Sequence, residues 1–429
     1  MQAKPFNRLL FLLCVAITGA VAGAFVWLFF FAMEHGITLI WSTVPLWLGQ
    51  ATAEVMPAWT QGPFGFLPYP FIVCGLGGLA VGLYARTTRV QTDDLNTVMA
   101  KVKKTGRYEY GDIGKLSVAA LLPLLFGGSI GPEAGLTGVI AGLCTWVGDR
   151  LHRFGTDFKE LTTLGTQAAL TALFTAPLFG VAAPLMGSAD GDVEKATIEL
   201  PRTQKIVTYT CAVAGALGAY MGLGQLLGGG MGMPHFDVPE AGGYELALLV
   251  PLALAGTACG WLFHASELGF GRLATRLGDR PVVKGVLAGF LLAVCGSLLP
   301  FALFSGETQA DVLIESYAAV PALVLIATGY VKAALTPACI CLGWRGGHFF
   351  PVIFAGVCLG FGFAQLTGAD PAFCVAACTA ATMASVMRQP LMVVLLLFLC
   401  FPPRGVAVML AAAVIGAAIP LPKALHSRK

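Results

Sequence analysis

The feature that most constrains this chain is a series of apolar segments repeatedly broken by glycine and proline. The segments fall at about 9–32, 68–86, 115–128, 133–148, 163–186, 206–228, 244–265, 284–304, 318–342, 350–366, 371–399 and 404–420. A straight membrane span needs about 20 apolar residues, and several of these segments are shorter. Gly131-Pro132, Pro177, Pro184, Gly346-Gly347, Pro351 and Pro390 interrupt them. Half-length helices are tolerated in a bilayer only where the freed backbone is buried in protein or lines a cavity. The pattern predicts an all-α integral membrane protein with a transport pathway rather than a set of plain anchors. Only 11% of the residues are charged and 57% are hydrophobic, whereas soluble domains carry about 25% charged residues.

Residues 1–429 read as one polytopic membrane domain embedded in a lipid bilayer. The net charge of +3, with no basic patch interleaved with aromatics, gives no reason to expect a nucleic-acid partner. The twelve cysteines lie scattered in apolar stretches, without metal-ligand spacing or a secreted disulfide pattern. No metal or cofactor is expected, and the neighbouring Cys339 and Cys341 read as small core residues. The first apolar run continues through Trp27 to Phe31, too long for a signal peptide, so it reads as a retained helix. Lys4 and Arg8, the group Arg86, Arg89, Lys101, Lys103, Lys104 and Arg107, and the terminal Lys423, Arg428 and Lys429 mark the cytoplasmic side. Both termini are therefore expected inside, in a bacterial inner membrane, and the tail after Pro420 is too short for a soluble regulatory domain.

The chain also echoes itself. GGSIGP at 127–132 pairs with GGHFFP at 346–351, and FTAPLFGV at 174–181 pairs with VMRQPLMV at 386–393. Two matches in the same order at nearly one offset predict two related halves, about 1–210 and 211–429, arranged as an inverted repeat.

A helix N-terminus exposes N–H groups and carries about half a positive charge, so it favours an anion. Two helices starting at Gly-rich breaks inside the membrane would aim those ends at one small inorganic anion, without a full Lys or Arg charge that would hold it too tightly. The glycines at 127, 128, 131, 346 and 347 permit close backbone approach, and Pro132 and Pro351 suit first-turn positions. Glu133 follows the first break. Its carboxylate would compete with the permeant anion and leave the path when protonated, a reading preferred over a capping carboxylate at an aqueous edge.

At these residues the chain resembles the CLC family of chloride channels and chloride/proton antiporters, in the form without C-terminal CBS domains. GSIGPEAG at 128–135 is similar to the family's G-K/R-E-G-P region, with Glu133 at the gating glutamate. GGHFFP fits the family's G-x-F-x-P motif through Gly347, Phe349 and Pro351, and the spacing of Lys332, Thr336, Gly343, Gly356 and Gly360 agrees with it. FTAPLFGV resembles the family's F-x-A-P-L-x-G segment, and MRQPL its second-half counterpart. The resemblance covers most of the chain from about residue 70 and implies a CLC-like inverted-repeat bundle of broken and tilted helices. It also implies a homodimer, chloride as substrate, Gly131, Gly347 and the backbone amides of Phe349 and Phe350 around the anion, and Glu133 as the gate.

Three departures from the family pattern stand out. In place of its G-S-G-I-P segment the chain has VQTDDL, where Thr92 is either an ion ligand or a helix N-cap. No tyrosine follows Met409. The stretch LLGGGMGMPHFDV offers no second glutamate for protons before Glu240, and Asp237 and His235 are either substitutes for it or, the preferred reading, surface-loop residues. A passive channel is therefore expected, with a chloride/proton antiporter using another proton path as the alternative. His348 is either a proton relay or a vestibule wall. Arg345 and Arg388 either raise the local anion concentration or snorkel to an interface. The polar stretch 187–205 reads as a solvated connector. An intramembrane enzyme using Glu133 and His348 would need a further catalytic motif, and neither HExxH nor paired aspartates occur, so the chain does not read as an enzyme.

Overall fold

The computed structural model describes residues 5–52, 68–89, 95–151, 166, 202–229, 234–398, 400–422 and 425. Thr92, the first-half Pro-Leu segment with Pro177 and Pro184, and most of the connector 187–205 lie outside these residues. In chain order the helices are α1 Pro5–Thr38, α2 Val44–Thr52, α3 Tyr69–Thr88, α4 Leu95–Thr105, α5 Ile113–Leu125, α6 Glu133–Leu151 and α7 Arg202–Leu227. They continue as α8 Gly243–Leu277, α9 Pro281–Leu298, α10 Glu307–Ser316, α11 Ala322–Cys341, α12 Phe349–Thr367, α13 Pro371–Met387, α14 Pro390–Leu397 and α15 Val406–Ala418. Among the described residues there is no β-strand, and seven helical stretches are long and apolar enough to cross a membrane. The chain is a multi-pass membrane protein.

The breaks follow local chemistry. Pro300 follows the end of α9, and a short 3-10 turn, Pro300–Ala302, takes over there, so the expected 284–304 span is shortened. Pro390 starts a new helix instead of continuing α13, which ends at Arg388 in a left-handed conformation. The apolar run of α1 continues through a π-turn at Leu39–Thr43 into α2, well beyond the expected end at 32.

The chain packs as two compact units, each built from separated segments. The first comprises Met1–Glu34, Val90–Leu121 and Glu133–Gly232. Within it, α1 and α7 meet through small residues: a methyl added at Gly19 or Gly23 would fall within 2.2 or 2.1 Å of the carbonyl oxygens of Ala212 or Ala216. Backbones approach this closely because apolar side chains gain little from meeting one another rather than lipid, which leaves van der Waals fit to join membrane helices. In the same unit Tyr108 packs on Val98, Val102 and Ala141, and Arg107 pairs with Asp149 at 2.5 Å.

The second unit comprises His35–Arg89, Leu122–Pro132 and Met233–Lys429. Here α3 and α9 interlock through Gly78, Gly285 and Gly289, where an added methyl would lie 2.2–2.4 Å from a facing backbone oxygen. Helix α13 is enclosed by its neighbours: Gly356 and Gly360 of α12, Gly256 and Gly260 of α8, and Gly416 of α15 all lie against it. Helices α12 and α13 are buried along most of their length, as expected of helices apolar on every side. This enclosed layer carries the second break at its N-terminal edge.

Candidate functional site

Both breaks begin with the same helix ending. At the end of α5, Gly127 is left-handed (φ 85°), its N–H donates to Leu124 O at 3.3 Å, and Gly128 N–H reaches back to Pro123 O at 2.9 Å. At the end of α11, Gly343 is left-handed (φ 91°), donates to Ile340 O at 3.1 Å, and Trp344 N–H reaches Cys339 O at 2.9 Å. This paired closure satisfies the last carbonyls of a helix and turns the chain sharply, and the left-handed residue is usually glycine. From Gly127 to Glu133, and from Gly343 to Phe349, the spacing to the next helix start is the same.

The two breaks meet inside the second unit. Gly131 N–H donates to Gly347 O at 2.8 Å, and Gly347 N–H donates to Gly131 O at 2.7 Å. Two residues further on, α6 begins at Glu133 and α12 begins at Phe349. The structural equivalence therefore sets Gly127 with Gly343 and Gly131 with Gly347. This corrects the register suggested by aligning GGSIGP with GGHFFP. The left-handed glycine that ends each preceding helix fixes the register; the repeated Gly-Gly…Pro string does not.

Several groups hold the first break in place. Trp41 donates its indole N–H to Leu125 O at 2.9 Å, and its ring faces Gly127, where an added methyl would fall 2.8 Å away. Phe304 N–H donates to Gly127 O at 3.1 Å, and Phe304 itself is left-handed (φ 61°), an uncommon state for a bulky residue. That turn is held by Lys332. Its fully buried ammonium donates to the carbonyls of Phe301, Ala302, Leu303 and Phe304 at 3.4, 3.3, 2.9 and 2.8 Å, and lies 5.0 Å from the centre of the Phe354 ring. A buried charge is tolerated when hydrogen-bonded on several sides, and the carbonyls do that here. One turn along α11, the Thr336 hydroxyl lies 3.4 Å from that of Ser129. On the other side of the pair, buried Trp344 donates to Gly285 O at 2.9 Å, and Gly346 lies against Ile130 and Gly131.

The sequence-predicted residues fall as follows. Gly131 and Gly347 form the pair itself. Phe349 and Phe350 occupy the first two positions of α12, and its backbone ladder begins one step later, with Val352 N–H donating to His348 O at 3.0 Å. His348 stands at the N-cap, its ring 4.7 Å from that of Phe349 and 5.6 Å from that of Phe263. Glu133 is buried in the first turn of α6. The guanidinium of Arg388 donates to Ala417 O and Ile419 O at 3.1 and 2.6 Å, closing the C-terminal end of α15, where cations are favoured. His235 and Asp237 are exposed, in keeping with surface-loop residues. Lys332 has no assigned role in the sequence reading; a lone cation inside the apolar segment 318–342 was the available signal.

The chain is similar to known proteins. Residues 76–420 match the family described as voltage gated chloride channel. The ion-transport protein YfeO of Shigella flexneri is 27% identical over 356 residues, covering 79% of this chain and 75% of that protein. A solved structure of a slow cyanobacterial Cl−/H+ antiporter aligns over 97% of this chain and 94% of its own, at 17% identity and a TM-score of 0.76. That of a CLC-type fluoride/proton antiporter aligns over 97% of each chain, at 16% identity and a TM-score of 0.66. At such identities the two structures establish the shared fold, while the family match extends over most of the sequence. The chain belongs to the voltage-gated chloride channel (CLC) family.

Proposed function

We propose that the protein passes chloride or a similar small inorganic anion through the bilayer, and that it does so passively. The reciprocal bonding of Gly131 and Gly347 carries this reading, because it ties together two breaks that each open a helix within two residues. The first-turn amides of Phe349 and Phe350 provide dipoles and no formal charge, suiting an ion that must leave as readily as it enters, and Gly131 and Gly347, bonded to each other, line the anion's place by close backbone approach. Glu133 is the gate in this reading: ionised it excludes the anion, and protonated it admits it. Thr92 is carried as a further anion ligand. The working form is a homodimer in a bacterial inner membrane, both termini on the cytoplasmic side and the two halves related by inversion.

Exchange against protons is the second reading. His348 favours it, because a titratable ring stands at the N-cap of α12, against Phe349. The two structural neighbours named above are antiporters, one for chloride and one for fluoride.

Purified protein in chloride-loaded liposomes tests the proposal. Chloride efflux is expected on adding a potassium ionophore, and Glu133→Gln is expected to change its pH dependence. Efflux equal to that of empty vesicles would remove the transport reading, and proton uptake in a fixed ratio to chloride would replace the channel by the exchanger.

A further inference from the structure

A second group of ionisable side chains adjoins the second break, outside the residues assigned to the anion. On α8, His264 Nδ1 and Glu267 Oε2 lie 3.3 Å apart. The Glu267 carboxylate is also within electrostatic range of His348, the residue that opens α12. Phe263 connects the two sides, its ring 5.5 Å from that of His264 and 5.6 Å from that of His348. The position of Glu267 is fixed from below by Cys341, whose thiol donates to the Glu267 carbonyl at 3.7 Å.

Two observations set this group apart from an ordinary helix-surface ion pair. It lies toward the C-terminal end of the 35-residue α8, where the apolar run at 244–265 ends. The Glu267 side chain is 56% exposed, while that of His264 is only 19% exposed. The Nε2 atom of His264 is buried without a hydrogen-bond partner among the described residues. With Nδ1–H donating to Glu267, Nε2 presents a bare lone pair, the form of imidazole that takes up a proton.

We propose that His264, Glu267 and His348 form a single proton-binding site beside the second break, and that its occupancy sets the charge an approaching anion meets. This rests on the anion-transport reading and holds for either a channel or an exchanger. When both imidazoles are neutral, the carboxylate leaves the group net negative; when both are protonated, it is net positive. Protonation of the imidazoles therefore reverses the sign of the group. Of the other groups facing it, the Cys341 thiol is uncharged, and Arg345, in the turn leading to His348, stays positive throughout. On α8 the next charges are Arg272 and Arg276, also permanently positive. The site therefore supplies the one sign-changing contribution among these groups.

Chloride efflux from liposomes carrying the full chain, with pH equal on both sides and stepped from about 5.5 to 8 across the imidazole range, tests this. Wild-type flux is expected to rise toward acid. Glu267→Gln removes the negative charge and is expected to raise flux at the alkaline end by about two- to fivefold, flattening the profile. His264→Asn is expected to lower flux at the acid end. Glu133 is intact in both variants, so its own pH dependence is common to all three profiles. Each protein is first checked for wild-type elution on gel filtration, and if Glu267→Gln fails this check, His264→Asn carries the test. Profiles that superimpose on the wild type would overturn the proton site and leave anion transport standing. Absence of chloride flux in the wild type at every pH would overturn the transport reading, and this site with it.

Discussion

Gly131 and Gly347 exchange both of their backbone hydrogen bonds, at 2.8 and 2.7 Å, although 215 intervening positions separate them in the chain. Each follows a helix closed by a left-handed glycine, and each precedes a new helix by two residues. Antiparallel exchange of this kind belongs to sheets. Here a single instance is used to tie the two breaks together.

This pairing leaves no room for a side chain. An alanine methyl at position 346 would lie 2.6 Å from Ile130 Cδ1 and 2.8 Å from Gly131 O, which is backbone and cannot swing aside. Gly346→Ala is expected to cost about 1–3 kcal/mol and to abolish chloride flux in liposomes while the protein still elutes as the wild type. Wild-type flux from this variant would mean that the pair tolerates separation.

Lys332→Met keeps the length of the side chain and removes the donors that hold residues 301–304. Several buried carbonyls then lose their partner, at a cost of about 2–4 kcal/mol. Thermal unfolding in detergent should show a clear drop in midpoint, and flux should fall as Phe304 loosens its bond to Gly127. An unchanged midpoint would show that these carbonyls find other partners.

Trp344→Phe tests a smaller contribution. It deletes the donor to Gly285 O and replaces the buried indole by a smaller phenyl ring, which leaves a cavity. A loss of about 2 kcal/mol is expected in the same unfolding assay, about half of it from the hydrogen bond.

Gly289→Leu tests the interlock of α3 and α9. The added Cβ would fall 2.2 Å from Cys74 O, so the two helices must separate. A loss of more than about 3 kcal/mol is expected, read as failure to recover monodisperse protein.

Much of the fold was legible in the sequence because bilayer thickness and backbone satisfaction leave few choices. The expected 68–86 and 350–366 segments became Tyr69–Thr88 and Phe349–Thr367. Helix α10 was missed because its face is mixed: Glu307, Gln309, Asp311 and Glu315 interrupt any apolar run. Of the site, Gly131, Gly347 and the start at Phe349 were readable, since glycine and proline mark breaks by their own backbone limits. The register between the halves was misjudged by three residues, because a repeated Gly-Gly…Pro string is visible in sequence whereas a left-handed φ is not. The contacts of Lys332 and Arg388 were out of reach for a different reason. Their acceptors lie 28–31 residues away, on segments that only the folded chain brings alongside.

The reciprocal glycine bond also limits how the protein can be adjusted. Since each glycine is donor and acceptor to the other, displacing either one forfeits two bonds together, so the pair acts as a clasp between the two breaks. Variation among relatives that alters ion transport without destroying it should therefore gather in the side chains around the clasp, such as Ile130, His348 and Phe349, and spare the glycines that close it.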